Sequence, residues 1–240
     1  MGYQKQLNVN INIANDNFII ASHRPWNKDL SKTLSSETGK QFHLLSNHKD
    51  LNIDYLKKIK PKYIFFTHWS YIIPDEIFQK YECIVFHMTD LPFGRGGSPL
   101  QNLISLGYKK TKVSALRVVK KLDAGPIYMK KGLTLEGSAQ EIYERASEVC
   151  KDIIVDIIKK NPKPKKQTGK PTIFKRRKPE DGNLNLALSI SDLNNMIRML
   201  DADGYPKAFI DFGPFKIEFT GAVKNKNQVS AKAIFKLTDL

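Results

Sequence analysis

Four short apolar runs, each closed by polar or turn-forming residues, constrain this chain more than any other feature. They are Phe18–Ala21, Phe42–Leu45, Tyr63–Thr67 and Cys83–Phe86. The stretches between them carry helical spacing, most clearly 28–36, 51–59 and 74–81. Strands that are apolar throughout and alternate with helices are buried on both faces, which is the pattern of a parallel, doubly wound sheet. The expected fold is therefore α/β, with a mostly parallel twisted sheet. In such sheets ligands bind beyond the carboxyl ends of the strands.

Further along, Val113–Val119 and Ile127–Lys130 read as two more strands. Ser98, Pro99 and Gln101 read as a capping box opening a helix that Gly107 ends, and Ser138 with Glu141 as a second box. After the second box, apolar residues from Ile142 to Ile157 fall at helical spacing, so a long amphipathic helix is expected to reach Lys160. Residues 161–171, rich in proline and lysine, read as a surface linker. Beyond them the chain predicts a small α+β extension, with a hairpin across Gly213-Pro214. The expected division is a catalytic domain over 1–165 and a small C-terminal subdomain over 166–240. Residues 1–16 fit an edge strand or a frayed end equally well.

The net charge of +15 implies either an anionic partner or a lysine-rich solvated surface. The two cysteines, Cys83 and Cys150, lie in apolar surroundings and form no metal or disulfide framework. No membrane-spanning run or leader is visible, so a cytoplasmic protein without a membrane partner is expected.

The last apolar run ends in His87, followed by a loop containing Gly94-Arg95-Gly96-Gly97. An imidazole at a strand end can perform acid–base chemistry near neutral pH. Asp123, also just beyond an apolar strand, would lie on the same edge of a parallel sheet and orient it. Read alone, the pair suits a satisfied core histidine and a turn aspartate better than a reacting pair. The glycine loop equally suits an anion cradle and a simple tight turn. In the loop after the first strand, Arg24 is a candidate phosphate contact and Trp26 a stacking surface.

Taken in order, these pieces resemble a known family. His87, Leu91-Pro92, Arg95-Gly96, Pro99 and Leu122-Asp123-Ala124-Gly125-Pro126, followed by Arg177-Lys-Pro-Glu-Asp-Gly182, closely resemble the formyltetrahydrofolate-dependent formyltransferases over residues 60–212. The resemblance implies a Rossmann-like formyltransferase domain that moves a formyl group from N10-formyltetrahydrofolate to an amine, without a metal. It implies catalytic roles for His87 and Asp123, and folate contacts from Leu91, Pro92, Arg95, Gly96, Leu122 and Gly125. One position departs from the family pattern: Val85 stands where an asparagine normally holds the formyl oxygen. Ser70, His68, Thr89, a glycine-loop amide or His87 itself are candidates to supply that donor.

The expected acceptor is a nucleotide-linked amino sugar, a 4-amino-4,6-dideoxyhexose for surface polysaccharide. Arg24, Trp26, Ser70, Gln101 and Tyr205 are its candidate contacts. Two features support that choice: the tail is smaller than the C-terminal barrel of tRNA-formylating relatives, and Trp26, Arg24, Tyr205 and Lys175–Lys178 suit a stacked base and a diphosphate held by cations. Nucleic acid is accordingly not expected as a partner, and a homodimer through the tail hairpin is allowed. Initiator tRNA, favoured by the charge, is the alternative acceptor. A non-catalytic folate- or nucleotide-sugar-binding relative is the third reading.

Overall fold

The structure, a computed structural model, describes residues 17–237. The edge strand considered for the first sixteen residues lies outside them. The chain begins with β1 (Asn17–Ala21), α1 (Leu30–Thr38), β2 (Gln41–Leu45), α2 (Ile53–Ile59), β3 (Tyr63–Phe66), α3 (Asp75–Phe78) and β4 (Cys83–His87). It continues with β5 (Arg95–Gly96), α4 (Pro99–Ser105), β6 (Lys110–Arg117), β7 (Ile127–Thr134) and α5 (Ala139–Lys160). The remainder contains β8 (Ile173–Phe174), α6 (Ile190–Leu200), β9 (Ala208–Phe212), β10 (Phe215–Lys224) and β11 (Val229–Leu237).

The main sheet has six strands in the order β2-β1-β3-β4-β6-β7. The first four are parallel, whereas β6 pairs antiparallel with β4 and β7 antiparallel with β6. Side chains alternate across the sheet. Phe18, Ile20, Phe65, Ile84 and Phe86 face one core, shared with α1, α4, α5 and α6. Ile19, Ala21, Ile64, Phe66 and Cys83 face another, shared with α2 and α3. Burial on both faces explains the unbroken apolar runs of Phe18–Ala21, Tyr63–Phe66 and Cys83–Phe86. Both cysteines are buried free thiols, and burial pushes Cys83 up to about 12.

The second capping box forms as read. The Ser138 hydroxyl accepts from the Glu141 amide, and the Glu141 carboxylate accepts from the Ser138 amide. The first does not form. Ser98 sits in the left-handed region, its hydroxyl accepts from the Arg177 amide, and Gln101 points into the core. The second partner that a capping box needs is thus absent from the surface turn. The tail folds as β9, β10 and β11 in an antiparallel sheet against α6, with Gly213-Pro214 joining β9 to β10. Among the described residues no helix is long and apolar enough to cross a membrane.

Candidate active site

Because β6 runs antiparallel to β4, its carboxyl end lies beside the start of β4 and not beside His87. Arg117 pairs with Ile84, and the Val118 amide donates to the Cys83 carbonyl. A shared parallel-sheet edge therefore does not bring Asp123 to His87. The connection does: residues 118–125 leave β6, run back along the sheet, and return where Arg117 donates to the Pro126 carbonyl. At the far end of this excursion the Asp123 carboxylate lies 3.6 Å from His87 Nδ1, with only 7 and 8% of the two side chains exposed.

His87 Nε2 lies 2.7 Å from the Gly94 carbonyl. A carbonyl only accepts, so this bond requires a proton on Nε2. Both ring nitrogens thus face acceptors, the Gly94 carbonyl on one side and Asp123 on the other. Asp123 has φ of +51°, a left-handed conformation that costs a non-glycine residue about 1 kcal/mol or more. Its surroundings hold it there. Its carboxylate accepts from the Gly96 amide at 2.9 Å, and its carbonyl accepts from Gln167 Nε2 at 2.8 Å.

The glycine loop is not an open anion cradle. The Gly94 amide donates to the Thr172 hydroxyl, the Arg95 amide to the Thr172 carbonyl, Gly96 to Asp123, and Gly97 to the Phe174 carbonyl. The following α4 is only seven residues long. The glycines permit close approach of the chain: a Cβ at Gly97 would lie 2.5 Å from Arg176 Cβ, and one at Gly96 2.5 Å from the Phe174 carbonyl oxygen.

The segment read as a linker therefore packs on the site. Lys165 bridges to Ile127, β8 pairs with β5, and Asn102 Nδ2 donates to the Lys175 carbonyl. Gln167 lies at its centre. Its amide donates to the carbonyls of Asp123 and Gly125, while its oxygen accepts from Arg95 Nε and Nη2. Nothing in Pro-Lys-Pro-Lys-Lys-Gln marks that glutamine out, and sequence reasoning missed it.

The remaining residues expected at the site separate into distinct places. Leu91 is buried in the core, and the Pro92 carbonyl accepts from the Thr172 amide. Arg95 is engaged by Gln167, and Gly125 is pressed against the Arg117 carbonyl. Leu122, by contrast, is 63% exposed beside the buried Asp123. Val85 is half-buried, with its neighbours in the α2–α3 core, and offers no polar atom. Of the candidates to replace the missing donor, Thr89 shares a partner with His87: its hydroxyl and the His87 ring both meet the Gly94 carbonyl. Ser70 is exposed on the loop after β3.

Arg24, Trp26 and Tyr205 do come together. The Arg24 guanidinium lies over both rings, 5.6 and 4.7 Å from their centroids. Tyr143, absent from the expectation, stacks between Trp26 and Tyr205, and its hydroxyl accepts from Gln101. His68 packs edge-on against Trp26 and Tyr143. Burial, then Arg24 and His23, push His68 down to about 3. Buried nitrogens of His23, Arg24, Trp26, His68 and Trp69 have no hydrogen-bond partner. They cluster at the carboxyl ends of β1 and β3, where an open α/β sheet receives ligands.

The family description "Formyl transferase" matches residues 15–158, and "Methionyl-tRNA formyltransferase, C-terminal domain" matches residues 179–236. A methionyl-tRNA formyltransferase of Thermodesulfovibrio yellowstonii is 33% identical over 159 residues, covering 62% of this chain and 52% of that protein. The chain thus spans about half the length of the curated relatives it matches. A solved structure, methionyl-tRNA formyltransferase from Clostridium thermocellum, superposes with a TM-score of 0.89 at 43% identity, covering 92% of this chain and 99% of that one. A sugar N-formyltransferase from Shewanella sp FDAARGOS_354 superposes at 0.68 with 16% identity, covering 88% and 99%, a likeness of fold alone. These findings overturn the nucleotide-sugar acceptor and the exclusion of nucleic acid. The short tail that prompted both matches the C-terminal domain of tRNA-formylating relatives. By the match over residues 15–158, the chain belongs to the formyl transferase family.

Proposed function

We propose that this chain transfers a formyl group from N10-formyltetrahydrofolate to the amino group of methionyl-tRNA. The observation that carries the reading is the buried His87–Asp123 pair, 3.6 Å apart, in a chain whose two parts match formyl transferases and the methionyl-tRNA formyltransferase C-terminal domain. The loop at Leu122 fits the folate. It offers an exposed apolar side chain next to a buried carboxylate, which suits a flat ring with polar edges. When bound, the folate supplies a formyl group already activated for transfer.

The chain's part is to hold protons and orient groups. Asp123, fixed by the Gly96 amide, faces His87 Nδ1 and sets the ring. His87 carries a proton on Nε2, donated here to the Gly94 carbonyl, and this N–H serves an oxygen gaining charge by exchanging that carbonyl for it. Val85 supplies no donor there, so more of that stabilisation falls on His87. The buried position of the pair excludes water, which strengthens each interaction.

The test is formyl transfer to methionyl-tRNA by the wild type, His87→Asn, Asp123→Asn and the double variant. Each single change should lower turnover by about 100-fold or more. The double variant should fall little further, because the residues act as a unit. Turnover within a few-fold of wild type in either single variant would contradict these roles.

A further inference from the structure

Gln167 lies outside every motif that carries the family resemblance, yet its side chain makes four hydrogen bonds within the site. Its amide nitrogen donates to two carbonyls of the 118–125 excursion, Asp123 and Gly125, both at 2.8 Å. Its oxygen accepts from Arg95 Nε at 3.1 Å and Nη2 at 2.7 Å. One side chain thus ties the loop carrying Asp123 to the loop that begins β5. The same two loops meet again where the Gly96 amide donates to the Asp123 carboxylate. Gln167 is itself fixed by neighbours in its segment: Lys165 exchanges two hydrogen bonds with Ile127, and Thr172 binds the Gly94 and Arg95 amides.

We propose that Gln167 is a positioning residue for formyl transfer, clamping the strained Asp123 loop so that its carboxylate faces His87. The inference rests on the reading of His87 and Asp123 as the reacting pair. An amide is the side chain this position requires. It must donate to carbonyls on one side and accept from a guanidinium on the other, which neither a carboxylate nor an amine does. Without it, the Asp123 and Gly125 carbonyls lose their donor, and the positive φ at Asp123 loses one of its two restraints.

Two readouts test the proposal. In Gln167→Ala and Gln167→Glu, kcat for formyl transfer should fall by about 100-fold, the scale of a misplaced reacting group, while KM for both substrates stays within a few-fold. Glutamate keeps the size and the Arg95 pairing, so an equal loss in both variants assigns the effect to the lost amide donors. The second readout needs no activity. Hydrogen exchange at the Gly96 amide, which donates to Asp123, should accelerate by about tenfold or more in both variants, while core amides of β3 keep their protection. If Gly96 exchange is unchanged, or if kcat is unchanged, Gln167 does not position Asp123. If the wild type transfers no formyl group to methionyl-tRNA, the functional reading fails, while Gly96 exchange still decides whether the clamp exists.

Discussion

At the residue scale, the sequence marks His87 as a titratable side chain closing an apolar strand, and Asp123 as a polar residue just beyond another. Their separation was not legible, since it depends on how the loop between β6 and β7 travels. His68 was visible only as a strand-end histidine, and its surroundings were not. The ring is enclosed by Trp26 and Tyr143 with Arg24 nearby, and burial holds it near 3, far below the ordinary value. The unfolded chain binds a proton at His68 below about pH 6.5, whereas the folded chain does not until about pH 3. Stability from this group is therefore complete above pH 6.5 and is lost as pH falls toward 3, by up to about 1.4 kcal/mol per pH unit. In urea unfolding, wild type should weaken between pH 7 and 5. His68→Asn should start lower, because it loses two ring contacts, and change less over that range. Parallel pH profiles for the two proteins would contradict this account.

At the element scale, the six strands of the main sheet, α1, α2 and α5 follow from period and caps, because burial on both sheet faces leaves a strong apolar signal, whereas the short β5 and β8 do not. The direction of β6 does not follow, since an apolar strand reads the same in either direction. The 161–171 segment misled for a related reason. Its side chains are polar and lysine-rich, as in a linker, while its backbone and one glutamine do the binding. The excursion between β6 and β7 depends on Gly125, where a Cβ would lie 1.8 Å from the Arg117 carbonyl oxygen. Gly125→Ala must therefore push the loop off β6. The expected cost is about 1–3 kcal/mol, read as a lower urea midpoint. The same shift should move Asp123 and lower turnover. An unchanged midpoint and turnover would show that the loop does not need this close approach.

At the scale of the whole molecule, the charge of +15 left two readings open, and the tail decided wrongly between them. A small tail was read as evidence against a tRNA acceptor, yet 179–236 matches the C-terminal domain of tRNA-formylating relatives. Size was a poor guide because the three-stranded sheet of β9, β10 and β11 packs on α6 and so needs few residues. With a polyanionic acceptor, the excess of lysine and arginine becomes functional, since phosphate neutralisation dominates affinity for nucleic acid and weakens with salt. The most direct measurement is the purified chain mixed with N10-formyltetrahydrofolate and methionyl-tRNA, following tetrahydrofolate release and formylmethionyl-tRNA together. The account predicts equal amounts of the two products, with kcat/KM for the tRNA falling by about tenfold or more between 50 and 200 mM salt. Tetrahydrofolate release that methionyl-tRNA does not stimulate, or formylation of the tRNA no faster than without protein, would contradict it.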